Sequence, residues 1–235
     1  MPKGKFFVIE GVDGSGKATQ AKLLSESLRS SGHQIEKIDF PQYGKASAAL
    51  LENYLNGMYG TAEEVGAYRA SIFYACDRYD LNFKIKKWLE GGKIVIADRY
   101  IASNIGHQGG KLIENKEEWE KYINWLHDLE YNIFQIPKPD YTLILKVSPE
   151  ISMKMSNKIT DAEKIKKRVA YLGDDKKQDI HEADKKHLAN TLESYVKIAK
   201  KFPEEYKIIE CQEEGNFLPI DVIHQKILSL VKEKI

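Results

Sequence analysis

Gly11-Val12-Asp13-Gly14-Ser15-Gly16-Lys17-Ala18-Thr19 sets glycines and a lysine at the spacing of a loop that wraps phosphate. Glycines let backbone N–H groups converge on phosphate oxygens, the N-terminus of a following helix adds positive potential, and the lysine reaches the outer phosphates. Composition alone would produce this relaxed pattern about 0.07 times in a chain of this size. Its position argues further, because it joins the apolar run Phe6-Phe7-Val8-Ile9 to a helical pattern. Gly11 to Thr19 therefore reads as a nucleotide site with Lys17 at its centre. The residue after the lysine, usually a hydroxyl that ligates magnesium, is Ala18. Either Thr19 substitutes or the ion is held through water, and Thr19 as a simple cap or packing residue stays open.

Arginine is used sparingly: Arg29, Arg69, Arg78, Arg99 and Arg168 are the only five among 36 basic residues. Where a lysine-rich chain uses arginine, a planar bidentate donor is indicated. Asp98-Arg99-Tyr100 closes the run Ile94-Val95-Ile96, so a carboxylate suited to magnesium and a guanidinium suited to a second phosphate share one strand end. Tyr74 and Arg78, four residues apart, project from one helix face. An aromatic plate beside a fork of donors suits a base with exposed oxygens, with core packing of Tyr74 an equal alternative on spacing alone. Two other chemistries fail. A guanine-reading Asn-Lys-x-Asp is not met by Asn157-Lys158-Ile159-Thr160, and a zinc-protease helix starting at His181-Glu182 needs histidine where Lys185 stands.

These residues need a frame that brings loop ends together. Phe6–Ile9, Gln34–Phe40, Lys93–Ala97, Tyr141–Val147 and Tyr206–Ile209 are apolar runs, each introduced by Gly, Pro or Ser or placed just before the glycine loop, and read as strands. Between them Ala21, Leu24 and Leu28 indicate a helix over about 16–30. Ile72, Cys76, Tyr79 and Phe83 indicate one over about 63–90, with that row facing the core. Trp119, Tyr122, Ile123, Leu126 and Leu129 indicate a third over about 116–130, and Ile220, Ile223, Ile227 and Leu230 a closing one. Strands alternating with helices predict a three-layer α/β fold, a parallel sheet covered on both faces, with ligands beyond the strands' carboxyl ends.

Composition bounds the rest. With 235 residues, 42% of them hydrophobic, and a net charge of +1, the chain is neither disordered nor a broad electrostatic binder of nucleic acid. No apolar run approaches the ~18 residues of a membrane span, and Met1-Pro2-Lys3-Gly4-Lys5 does not open a signal peptide. Cys76 and Cys211 are too few and too far apart for a disulfide or zinc framework, and Cys76 is expected in the core. The expectation is a cytoplasmic protein with no membrane or nucleic-acid partner.

Glu10-Gly11-Val12-Asp13-Gly14-Ser15-Gly16-Lys17, Phe40-Pro41, Tyr74-Ala75-Cys76-Asp77-Arg78, Asp98-Arg99-Tyr100 with Ser103-Asn104 and His107-Gln108-Gly109, and Asp179-Ile180-His181-Glu182 run in this order over nearly the whole chain. The set resembles the thymidylate kinase family. The resemblance implies a P-loop kinase fold over residues 1–235 with five parallel strands and a small lid at about 157–180. It also implies ATP as phosphoryl donor, Mg2+, dTMP as acceptor and a homodimer. By position, Asp13 would accept the sugar 3′-hydroxyl, Arg99 would hold the acceptor phosphate and Asp98 would manage the metal. Phe40 would wall the base, Tyr74 would stack on it rather than Phe73, and Arg78, Asn104 and Gln108 would read its edge. Ser103 joins this substrate set, and His107 stands near the ribose where tyrosine is common.

Three departures accompany the resemblance. Gly14 occupies the place of a P-loop arginine found in some members. The lid has one arginine, Arg168, among Lys166, Lys167, Lys176 and Lys177, which makes Arg168 the candidate catalytic finger. Gln42 replaces a basic residue for the acceptor phosphate. The acceptor phosphate, with a second pKa near ~6, is mostly dianionic at neutral pH and needs no general base. The task is to offset repulsion between two polyanions. A kinase for another nucleoside monophosphate or a deoxynucleoside, and a non-catalytic nucleotide-binding regulator, are the competing readings.

Overall fold

The structure, a computed structural model, describes residues 3–156 and 185–235. Arg168, the lid segment about 157–180 and Asp179-Ile180-His181-Glu182 lie outside the described residues. Strands β1 (Lys5–Gly11), β2 (Ile35–Asp39), β3 (Ile94–Asp98), β4 (Tyr141–Lys146) and β5 (Tyr206–Glu210) form one parallel sheet in the order β2-β3-β1-β4-β5. All five are the strands read from sequence, shifted by two residues or fewer at their ends.

Alternation along the strands feeds two apolar layers. Phe7, Ile9, Ile96, Leu143 and Leu145 meet Leu24 and Leu28 of α1 (Lys17–Ser30) on one face. Phe6, Val8, Val95 and Ile144 point to the other, which is covered by α3 (Ala62–Glu90), α4 (Ile101–His107), α5 (Lys116–His127) and α7 (Lys185–Lys201). Between these come α2 (Ala49–Leu55) and α6 (Pro149–Ser156), and α8 (Ile220–Lys232) closes the chain. Helices α2, α4 and α6, and the small hairpin Gln212–Glu213 with Asn216–Phe217, carry no strong apolar period and were not read from sequence, whereas α7, with Leu188, Tyr195 and Ile198 on one buried face, has such a period and was missed.

Helix α3 corrects one expectation. It starts in a capping box, Thr61 with Glu64, and breaks at Gly66. Its buried face is Ser71, Ala75, Arg78, Asn82, Ile85 and Leu89, whereas Ile72, Tyr79 and Phe83 are 40%, 41% and 63% exposed and Cys76 is only half-buried. The polar face turns inward because the cleft supplies partners for it, and the apolar row is left on the surface. Helix α5 shows a smaller difference. Trp119, Tyr122, Ile123 and Leu126 are buried as read, but the helix then widens into a π turn over Asp128–Ile133 that buries Glu130 and leaves Leu129 half-buried.

Candidate active site

The strand register decides which loops meet. β1 lies between β3 and β4 with Ile9 opposite Asp98, so the glycine loop after β1 and Arg99 after β3 leave the sheet side by side. Within the loop Gly11, Gly14 and Gly16 take φ of 144°, 79° and 90°. Gly16 caps α1 with no side-chain hydrogen bond, so the first N–H groups of the helix are not claimed by a side chain there. Lys17 is buried, donates to the Val12 carbonyl at 2.9 Å and lies 3.6 Å from Asp13. Burial, and then Arg99, lower its pKa against the pull of Asp13, Asp98 and Glu10.

Gly14 explains the absent P-loop arginine. A Cβ there would sit 2.3 Å from the Ser152 carbonyl oxygen of α6, at a φ that L side chains avoid. The Ser152 hydroxyl also donates to the Asp13 carbonyl, so α6 is fastened to the loop.

Arg99 continues the ladder by donating its N–H to the Ile9 carbonyl at 3.0 Å, then turns with a positive φ of 71°. A non-glycine residue held there costs about 1–3 kcal/mol, which the neighbouring contacts must offset. Its guanidinium pairs with Asp13, and Nη1 lies 3.4 Å from His107 Nε2. Burial opposes the charge, but Asp13, Tyr195, Glu10 and Asp98 more than compensate and hold its pKa well above the ordinary value. Asp13 is thus shared between Lys17 and Arg99, an arrangement not read from sequence.

Glu10 is the main residue the sequence reading left without a role. It is fully buried and accepts from the Tyr100 N–H at 2.7 Å, the Ser103 hydroxyl at 3.0 Å and the Tyr195 hydroxyl at 3.1 Å. Burial raises its pKa, while Arg99, the Tyr100 N–H and Lys17 lower it. An acid ending a wholly apolar strand was the available signal. Tyr195 reaches it because Gly106 lets α7 approach: a Cβ on Gly106 would lie 2.5 Å from the Tyr195 ring.

Beside the glycine loop lies an open cleft with about 680 Å³ of empty space, part of it continuous with solvent, a size suited to a mononucleotide. All nine residues of the expected substrate set line it: Asp13, Phe40, Tyr74, Arg78, Arg99, Ser103, Asn104, His107 and Gln108. Tyr74 lines it and Phe73 does not. Phe73 instead packs near Tyr54 and Tyr59. Phe40, which precedes a cis proline, is braced by the Tyr100 ring at 5.7 Å.

The polar groups in the wall differ in how they are engaged. Asn104 donates to the Ser71 carbonyl at 3.2 Å, the Ser103 hydroxyl is held by Glu10, and Arg78 is paired with Glu130. Both amide atoms of Gln108 are buried without a hydrogen-bond partner, as is Oδ1 of Asp98. Gln42 donates to Asp77, at 2.9 Å from its N–H and 3.2 Å from its side-chain amide. It thereby anchors the loop after β2 to α3.

Among the described residues no cluster of three His, Cys, Asp or Glu side chains could hold a metal by itself, and no helix is long and apolar enough to cross a membrane. An ion with mostly water and phosphate ligands needs only one or two carboxylates, which the unpartnered oxygen of Asp98 supplies. Burial raises the Asp98 pKa against the pull of Lys17 and Arg99. Thr19 lies on the exposed side of the first turn of α1.

The thymidylate kinase family model matches residues 9–227. A probable thymidylate kinase of Thermococcus kodakarensis is 32% identical over 237 residues, covering 97% of each chain. A thymidylate kinase of Mycobacterium tuberculosis is 34% identical over 145 residues, 61% of this chain and 66% of that protein's length. The solved structure of a thymidylate kinase from Candida albicans has the same fold, with a TM-score of 0.67 at 23% identity over 98% of this chain and 92% of that one. With the family match running from β1 into α8, and the Thermococcus alignment spanning both proteins almost end to end, this chain belongs to the thymidylate kinase family.

Proposed function

We propose that this protein transfers the γ-phosphoryl group of ATP to dTMP, giving dTDP and ADP. The supporting observation is a mononucleotide-sized cleft that opens directly onto a phosphate-binding glycine loop, with Asp13 and Arg99 at the junction. In the protein alone Arg99 is paired with Asp13. When dTMP enters, its dianionic phosphate takes the guanidinium, and Asp13 turns to the sugar 3′-hydroxyl while keeping Lys17. Tyr74 and Phe40 sandwich the base, and the free amide of Gln108 pairs with the donor and acceptor on its edge.

Like charges ~4 Å apart at an effective dielectric of ~20 repel by about 4 kcal/mol. Lys17 and Arg99, with Arg168 as the proposed finger from the lid, offset that repulsion and hold donor and acceptor in line. Asp98, with Thr19 through water, would hold magnesium, which when bound would neutralise phosphate charge. The reading takes residues 1–235 as one kinase domain in the cytoplasm, acting as a homodimer. The exposed row Ile72, Tyr79 and Phe83 on α3 supports the dimer, because apolar rows of this kind mark protein contacts.

A coupled assay of ADP release, run with ATP and with dTMP, dUMP, dCMP, dGMP, AMP or thymidine, tests the reading. ADP release that depends on dTMP above the other acceptors is expected. Release with another acceptor only would reassign the substrate, and none with any acceptor would favour a regulator.

A further inference from the structure

Arg78 sits in the cleft wall, yet it is only 1% exposed because its far side is held by Glu130, itself fully buried. Both Glu130 carboxylate oxygens accept from Nε at 3.0 Å, and Oε1 also takes Nη2. Nη1 is left with one long contact, 3.4 Å to the Tyr100 carbonyl. A guanidinium has five N–H donors. The grip on Nε and Nη2 therefore fixes the plane of the group and leaves donors on Nη1 for the cleft. The π turn makes this possible: its wider winding carries Glu130 to the inside of a segment whose neighbours Asp128, Asn132 and Ile133 are exposed.

Stability alone does not call for such a pair. Desolvating two charges offsets most of their attraction, and an apolar pair of the same volume often serves as well. A charged pair in a cleft wall is better explained by orientation. We propose that Glu130 is a positioning residue for base selection, holding Arg78 so that only N–H donors meet the base edge. A carbonyl oxygen on the base is then accepted, and an exocyclic amino group in the same place, meeting donors with donors, is rejected. This rests on the reading of Arg78 as the base-edge residue of a dTMP kinase.

The test compares dTMP with 5-methyl-dCMP, which differ only along that edge, as a ratio of kcat/KM in the full-length protein. Glu130→Gln keeps the volume but halves the acceptors and removes the charge. It is expected to lower the ratio about 10-fold or more, mainly through a higher KM for dTMP, with KM for ATP unchanged. Arg78→Ala is expected to collapse the ratio, and adding Glu130→Gln to that variant should not change it further, whereas a merely structural role would persist. If Glu130→Gln does not fold, Glu130→Asp, which keeps the charge but retracts it, should give an intermediate ratio.

A wild-type ratio in Glu130→Gln or Glu130→Asp, alongside a collapsed ratio in Arg78→Ala, overturns the role of Glu130 alone. An unchanged ratio in Arg78→Ala overturns the base-edge reading and this proposal with it. A wild-type protein that phosphorylates neither nucleotide overturns the kinase reading, and both of these with it.

Discussion

Replacing Arg99 with alanine removes, among the described residues, the one guanidinium at the junction of cleft and glycine loop. A unit positive charge ~4 Å from one phosphate charge at an effective dielectric of ~20 contributes about 4 kcal/mol. Part of this is taken up in the protein alone, where Arg99 already pairs with Asp13 and that pair must be exchanged for the phosphate. A net loss of about 3 kcal/mol in the transition state corresponds to roughly a 100-fold fall in kcat/KM for dTMP. ATP should be affected little, because the glycine loop is intact and Lys17 keeps its contact with Asp13. The assay is steady-state ADP release with dTMP varied at saturating ATP, and the reverse, with Arg99→Lys to separate charge from fork geometry. A fall of less than ~10-fold, or a KM for ATP that rises as much as that for dTMP, would refute the assignment of this arginine to the acceptor phosphate.

Four further outcomes follow from the same geometry. Asp98→Asn should raise Tm near neutral pH, by about 2–4 °C for each kcal/mol of relief, while greatly lowering turnover. Burial lifts the folded-state pKa above the ordinary value, so the contribution of Asp98 is present below that value and is lost as pH rises through the folded pKa. The advantage of the asparagine variant in a pH series of melts should therefore grow with rising pH, and a constant difference would count against it. Gln108→Leu removes two buried unpartnered atoms, each costing about 1–3 kcal/mol, and should raise Tm while raising KM for dTMP; an unchanged KM would take Gln108 off the base edge. Gly14→Ala should weaken ATP binding and lower Tm, since its Cβ meets Ser152 and its φ costs a further ~1–2 kcal/mol; calorimetric titration with ATP checks this. Phe83→Asp, on the exposed row of α3, should shift the sedimentation coefficient from dimer to monomer, and an unchanged coefficient would place the contact elsewhere.

Resemblance to the family supplied Phe40, Ser103, Asn104, His107 and Gln108 of the cleft wall, and by itself the amino-acid sequence determined the five strands, the glycine loop and Arg99. Each depends on local chemistry: an apolar run bounded by Gly or Pro, glycines that free backbone N–H groups, an arginine at a strand end. Pairings that depend on where distant segments meet were decided by the tertiary structure. Glu10 reads as the end of an apolar strand until Ser103 and Tyr195 arrive as its partners. Glu130 falls beside a position, Leu129, that fits the helical period, and only the π turn sends the carboxylate inward to Arg78. The row Ile72, Cys76, Tyr79 and Phe83 has the period of a core face, but a helix lining a polar cleft turns its polar side inward, so the same period lies outside. Periodicity tells which side chains share a face, and the neighbours of that face, set by sheet order and helix crossings, tell whether it meets solvent, core or substrate.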